Sequence, residues 1–175
     1  AQGLDTGDML YKISCEIADT DTTQTLHDKL AELGGQAMVE VLTHLSAYQT
    51  KAEKQDDSLA NYAQKITTDE GLIDWQQHAH AINRQIRALN AYTLLNGERI
   101  KVLECLPIKS EQTTTETAGK VISVGRKAIL VACGADENGN KHLINITKMQ
   151  WAGGKPLTAE QIAVGDKLKD GWRFE

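Results

Sequence analysis

Two carboxylates, Asp5 and Asp8, stand with Gly3, Leu4, Thr6 and Gly7 directly before an apolar run that opens at Met9. Glycines let a backbone turn sharply and come close to a ligand, and an aspartate held in such a loop can take up a proton or orient a histidine. The same residue types build ordinary turns, because Asp and Thr side chains bond to nearby backbone and Gly accepts positive φ. The chemistry open to this segment is proton transfer by a carboxylate, and the elements around it decide whether that chemistry is used.

Asp5-Thr6-Gly7 also fits the loop of aspartic proteases, where two carboxylates share one proton. That arrangement needs a second Asp-Thr-Gly or a symmetric partner. This chain has no second copy, and a long amphipathic helical pattern follows in place of further strands. His78 and His80 are two apart, which sends them to different faces of a helix and makes them solvent-facing or capping residues. His27, His44 and His142 are isolated in the sequence. Cys15, Cys105 and Cys133 are odd in number, far apart and without a C-x-x-C pair, which argues against a disulfide framework or a zinc site and for reduced thiols. There is no metal-binding motif, P-loop or nucleophile elbow.

The elements follow from periodicity. Met9 to Ile17 alternates from Tyr11 onward and predicts a strand with Tyr11, Ile13, Cys15 and Ile17 on one face. Thr23 or a neighbour caps a helix with Leu26, Leu30, Leu33, Ala37, Met38, Val41, Leu42 and Leu45 as a core stripe. Gly34-Gly35 interrupts that stripe, so a kink or a close backbone neighbour is expected there. From Ala47 to Leu72 apolar residues thin out, as in a linker. Asp74 is placed to cap a second helix that buries Ala79, Ile82, Ile86 and Leu89, with Arg84 and Arg87 off the stripe. Short strands are then predicted at 93–95, 100–103, 121–124, 128–133 and 142–147, with Asn96-Gly97 as a hairpin turn and Gly125-Arg126-Lys127 as a tight connection. Thr158 and Gln161 have capping-box spacing before a short helix. Five or six short strands in this length suggest a small β-barrel of the oligonucleotide-binding kind, and an SH3-like barrel would give the same pattern.

At 175 residues and 41% hydrophobic, the chain has the composition of one or two folded domains. It has no apolar run of about 18 residues and no signal-peptide pattern, so no membrane association and a cytoplasmic location are expected. The net charge of −5 divides unevenly, −7 over residues 1–92 and +2 over 93–175. A mildly basic second half can face a polyanion, although it falls short of a strongly basic nucleic-acid domain. The chain opens on Ala1, with its most site-like loop in the first ten residues, which points to a piece cut from a longer polypeptide.

Four ordered blocks together resemble the C-terminal part of the methionyl-tRNA formyltransferase family. They are Gly3-Leu4-Asp5-Thr6-Gly7-Asp8-Met9-Leu10, the run Thr25 to Gly34, Gln55-Asp56 with Tyr62-Ala63-Gln64-Lys65, and Ile73-Asp74-Trp75 with Ile86-Arg87-Ala88-Leu89-Asn90. The resemblance covers residues 3 to 90; beyond them the agreement is one of layout. It implies an α/β plus β fold: the end of a Rossmann-like formyltransferase domain (1–46), a linker (47–75), and a helix with an OB-like β-barrel domain (76–175).

It further implies formyl transfer from 10-formyltetrahydrofolate to methionyl-initiator-tRNA in translation initiation, without a metal and by a monomer. Asp5 then corresponds to the family's catalytic aspartate, which holds a histidine charged and assists proton movement. Gly3, Leu4, Thr6, Gly7 and Asp8 would shape the folate-site loop. The family's His-Gly-Ser-Leu-Leu-Pro segment is absent from this sequence, so the chain alone is expected to be inactive. After Asn90 it also lacks the family's usual Pro-containing turn. Arg84, Arg87, Lys101, Lys120, Arg126, Lys127, Lys148 and Lys155 are the candidate tRNA contacts, with Arg126-Lys127 favoured for its projecting turn. Trp151 is the candidate for base stacking or, more simply, for the core. A non-catalytic RNA-binding module and a sugar-nucleotide formyltransferase are the competing functions.

Overall fold

A computed structural model describes residues 3, 5–106, 108–109 and 111–175. The chain divides into two units, Ala1–Lys65 and Ile66–Glu175.

In the first unit a polar knot starts the long helix. The Asp21 carboxylate accepts hydrogen bonds from the Ala18 N–H (2.8 Å), the Thr25 hydroxyl (2.9 Å) and Lys29 Nζ (2.7 and 2.8 Å). Thr22 caps helix α1 (Thr23–Thr43) in a reciprocal capping box with Thr25. The helix runs without interruption through Gly34-Gly35, and a Cβ at either position would meet nothing within 4 Å, so the expected close backbone neighbour is not found among the described residues. Nor is the apolar stripe a core here. No residue of α1 is buried, and Met38 and Leu42 are 59% and 62% exposed. A short helix α2 (Leu45–Thr50) and one 3-10 turn (Asp57–Leu59) complete the unit.

The strand expected over Met9–Ile17 does not form. Met9 alone pairs, with Glu53, through two backbone hydrogen bonds of 2.8 and 2.9 Å. Strands are stabilised by cross-strand neighbours and a covered face. Here the described residues supply a single bridge, and Tyr11, Ile13 and Ile17 stay exposed. Among its described residues the unit therefore carries helices and no sheet.

The second unit is organised around Trp75. Its indole N–H donates to the Thr93 hydroxyl (2.9 Å), which donates in turn to the Glu175 carbonyl (3.2 Å), and its ring stacks on Phe174 at 5.4 Å. The segment before helix α3 (Ala79–Ala88) lies tightly on the sheet: the Gly134 N–H reaches the Trp75 and Gln77 carbonyls at 2.9 and 3.0 Å. A Cβ at Gly134 would stand 1.7 Å from the Gln76 oxygen, so only glycine permits this approach. His78, rather than Asp74, caps α3, its Nδ1 accepting from the Ala81 N–H at 3.3 Å. Asp74 instead forms a turn by accepting from the Gln76 N–H at 2.9 Å.

Six antiparallel strands follow: β1 (Tyr92–Leu95), β2 (Glu98–Cys105), β3 (Val121–Val124), β4 (Ile129–Ala135), β5 (Lys141–Trp151) and β6 (Leu157–Thr158). The order is β1-β2-β5-β4-β3, with β6 on β5. Asn96 and Gly97, at φ 52° and 76°, make the tight hairpin turn between β1 and β2, where both central residues must be left-handed. Ile100, Val102, Ile129, Val131, Ile144, Ile146 and Met149 fill the core with Ala79, Ile82 and Ile86 of α3 and Ile162 of α4 (Ala159–Val164), whose capping box is Thr158 with Gln161.

The ladder does not close into a barrel, since edge strands β1 and β3 do not pair with each other. Residues 171–175 run between them. The Val121 N–H donates to the Trp172 carbonyl at 2.7 Å, the Phe174 N–H to Gly119 at 2.9 Å, and the Glu175 N–H to Leu94 at 2.9 Å. The expected barrel is thus observed as an open antiparallel sheet whose edges are bonded through the tail.

Two outcomes follow from this bonding. Thr93→Val conserves shape but leaves the buried indole N–H without an acceptor, and should cost about 1–3 kcal/mol in chemical denaturation, while Thr93→Ser costs less. The bonds from Lys29, Ala18 and Thr25 hold the Asp21 carboxyl at a pKa of about 2, below its ordinary 3.8. A depressed carboxylate stabilises the fold above its unfolded pKa and loses that contribution as pH falls through the folded one. The circular-dichroism signal of α1 should therefore weaken from about pH 4 to about pH 2, and Asp21→Asn should remove that step.

Candidate functional site

Asp5 occupies the left-handed region at φ 57°, which Asp and Asn enter more readily than other side chains. Around it the loop ties back its own carbonyls. The Thr6 hydroxyl donates to the Gly3 carbonyl at 3.1 Å, and Gln55 Nε2 donates to the carbonyls of Asp5 (2.9 Å) and Gly7 (2.6 Å). Beyond the loop, Glu53 pairs with Met9 through backbone and with Lys12 Nζ at 2.6 Å. Gly3, Asp5, Thr6, Gly7 and Asp8 are all exposed, and Leu4 lies outside the described residues. Among the described residues no hydrogen bond or ion pair engages the carboxylate of Asp5 or Asp8. The arrangement is a fixed backbone presenting an uncommitted carboxylate, able to accept a proton or to bond a charged donor such as an imidazolium.

The eight basic residues fall at separate places on the second unit. Arg84 is exposed on α3, and the Arg87 Nε donates to Asn83 Oδ1 at 3.0 Å. Lys101 opposes Gln150, and Lys148 opposes Glu104, on the side of β2 and β5 away from Ile100, Val102 and Met149. Lys148 is paired with Glu104 at 2.8 Å, and Lys120, next to β3, with Glu116 at 2.8 Å. Arg126 and Lys127 project from the β3–β4 turn, both exposed, with Arg126 3.9 Å from Glu160 of α4. Lys155 is exposed in the loop between β5 and β6. The structure thus brings Lys101 and Lys148 to one strand face and joins Arg126 to Lys127, without uniting all eight.

Two residues carry no role that their sequence context suggested. Arg99 lies two residues from Lys101 on the same face of β2, its guanidinium 3.6 Å from the centre of the Tyr92 ring. Strand alternation could have found it. The bonding of Gln55 to the Asp5 loop spans 50 residues, and no local pattern signals it. Trp151 is partly buried against the core, with Lys167 Nζ 5.6 Å from its ring centre, so packing accounts for it.

Other features of the described residues are less suited to a site. A groove of about 720 Å³ beside Trp75 and Phe174 is bordered by Asp69, Asp74, Glu175 and Arg173, a charge balance unfavourable to a polyanion. Burial pushes the Cys105 and Cys133 thiols up to about 11 and about 12, which leaves them poor nucleophiles. No group of three His, Cys, Asp or Glu side chains able to hold a metal occurs among the described residues, and no helix there is long and apolar enough to cross a membrane.

Comparison with known proteins adds to this geometry. A family model described as formyl transferase matches residues 1–42, and one described as formyl transferase, C-terminal domain, matches residues 65–167. A methionyl-tRNA formyltransferase of Acinetobacter baumannii (strain AB0057) is 40% identical, over 98% of this chain and 54% of its own length. Proteins of the same name from Nitrosomonas eutropha and Nitrosomonas europaea are 41% and 42% identical, over 99% of this chain and 54% and 53% of their own. The chain spans about half the length of the curated relatives it matches.

Proposed function

The chain belongs to the formyl transferase family, and we propose that it is the C-terminal part of a methionyl-tRNA formyltransferase that moves a formyl group from 10-formyltetrahydrofolate to methionyl-initiator-tRNA. The observation that carries this reading is continuity. Relatives of that name align over 98% of the chain, across both units, instead of sharing one portable domain. In this reading residues 1–46 end the catalytic domain, 47–75 link, with Ile73 and Trp75 at the end of that stretch already packed into the core of the second unit, and 76–175 form an OB-like tRNA-holding domain of a monomeric cytoplasmic enzyme.

The methionyl amine attacks the formyl carbonyl of the donor and sheds a proton as its nitrogen bonds to carbon; the bond from the formyl carbon to N10 of the folate then breaks, and N10 leaves with a proton as tetrahydrofolate. Asp5 takes the proton directly or keeps a neighbouring imidazole charged. Its exposed carboxylate, engaged by nothing else among the described residues, fits that task. Gly3, Leu4, Thr6, Gly7 and Asp8 shape the wall against which the donor lies. Arg126 and Lys127 reach the tRNA backbone, where each neutralised phosphate adds affinity through released counterions. Lys101, Lys148, Lys120, Lys155, Arg84 and Arg87 supply further positive charge.

In the intact protein, Asp5→Asn retains a side chain that tolerates positive φ, so it isolates the carboxylate. It should lower formylation of methionyl-tRNA by about 100- to 10,000-fold with tRNA binding unchanged; full activity would refute the role. The 175-residue chain by itself should bind tRNA without formylating it. Charge reversal at Arg126 and Lys127 should weaken tRNA binding and flatten the log–log salt dependence by about 0.7–0.9 for each phosphate that is no longer neutralised. Binding that is equally tight, with the same slope, would remove this turn from the interface.

A further inference from the structure

We propose that Gln55 is a positioning residue for Asp5: its side-chain amide clamps the carbonyls on both sides of Thr6 and so fixes the backbone from which the Asp5 carboxylate projects. The catalytic consequence rests on the formyl-transfer reading; the clamp itself does not.

The amide of Gln55 has two N–H donors on one nitrogen, and the loop offers two acceptors, the carbonyls of Asp5 at 2.9 Å and Gly7 at 2.6 Å. Bonding both through one atom sets the separation of those carbonyls, and with it the orientation of the Asp5–Thr6 and Gly7–Asp8 peptide planes. Such a restraint is needed because Asp5 is left-handed, a conformation that costs a residue with a Cβ about 1–2 kcal/mol. The Thr6 hydroxyl, already bonded to Gly3, secures only the near side of the turn.

Gln55 reaches the loop through the pairing beside it. Met9 and Glu53 are bridged antiparallel, which sets Gln55, two residues on, opposite Gly7, two residues back. Lys12 strengthens the same pairing through Glu53 at 2.6 Å. The chain leaving α2 is therefore a strap across the loop, and Gln55 is its contact with the reacting end. The nearest substitutes each lose part of this bonding. Glu lacks the donors and would set a carboxylate against two carbonyl dipoles, Met keeps the length without either donor, and Asn is one methylene shorter.

The test uses the intact protein with Gln55→Glu and, as a milder change, Gln55→Met. Hydrogen exchange of the Met9 and Glu53 amides, which bond each other's carbonyls beside the clamp, should quicken about tenfold or more, while amides of α1 stay as in the parent. Formylation should then show kcat lower by about 30- to 100-fold, with KM for methionyl-tRNA within about twofold, as expected when a catalytic group is misplaced by roughly an ångström. Introduced into the Asp5→Asn protein, either substitution should cost nothing further, because the two residues act as one unit. Unchanged loop exchange overturns the clamp even if the parent formylates normally. A loosened loop with unchanged kcat, or losses that multiply with Asp5→Asn, overturns the positioning role. If the parent has no formyl-transfer activity and the loop still loosens, the functional reading and the positioning role both fail while the clamp stands.

Discussion

A buried indole N–H has to find an acceptor, and the second unit is assembled around the way Trp75 meets that requirement. Only 4% of Trp75 is exposed, and its acceptor is the fully buried Thr93 of β1, whose hydroxyl passes its own proton to the carbonyl of Glu175. One short chain of donors thereby ties the incoming segment, the first strand and the last residue together. Stacking of Trp75 on Phe174 adds apolar burial on the other side of the same contact. With the tail fixed this way, residues 171–175 can bond to β3 and β1 and satisfy edge groups that the open sheet would otherwise leave to water.

The first unit is held by a different kind of force. It has almost no buried apolar surface among the described residues, and polar contacts define its geometry: the Asp21 knot at the start of α1, the Met9–Glu53 bridge, and Gln55 on the Asp5 loop. Exposed hydrogen bonds contribute little to stability each, but they are directional. In the proposed reading that suits a loop that aims the Asp5 carboxylate, and it means that single side chains such as Gln55 have more influence there than they would in a packed core.

Charge follows the same division of labour. The half of the chain that bears Asp5 is strongly acidic, and the half that bears the β3–β4 turn is mildly basic. Two lysines of that basic half, Lys120 and Lys148, are paired with Glu116 and Glu104, whereas Arg126 and Lys127 stand exposed and adjacent on one turn, with Glu160 3.9 Å from Arg126. Position on a projecting turn thus counts for more than the number of basic residues.

Local pattern was sufficient for much of this protein. The alternation around Ile100, Ile129 and Ile144, the Asn-Gly hairpin, the Thr158–Gln161 capping box and the stripe Ala79, Ile82, Ile86 are all imposed by near neighbours and took the form their spacing implied, although Leu89, expected on that stripe, lies past the helix end and is half-buried. The Asp5 loop and the four ordered blocks likewise point to the formyl transferase family from residue order alone. The failures have a common cause. Met9–Ile17 has the alternation of a strand and α1 the stripe of a buried helix, but whether a face is covered depends on distant chain, and among the described residues the first gains only the Met9–Glu53 bridge and the Tyr11–Tyr48 ring contact, while no residue of α1 is buried. The tail bridging β1 to β3 and the bonds of Gln55 to a loop 50 residues away are equally non-local, whereas the cap at His78 is a local bond to Ala81 and falls within the capping role its position allowed. Residue type and spacing fix what a segment is able to do, because propensities and caps act over a few residues. Which of those abilities is realised is set by contacts far apart in the chain, and these exist only once the backbone has folded.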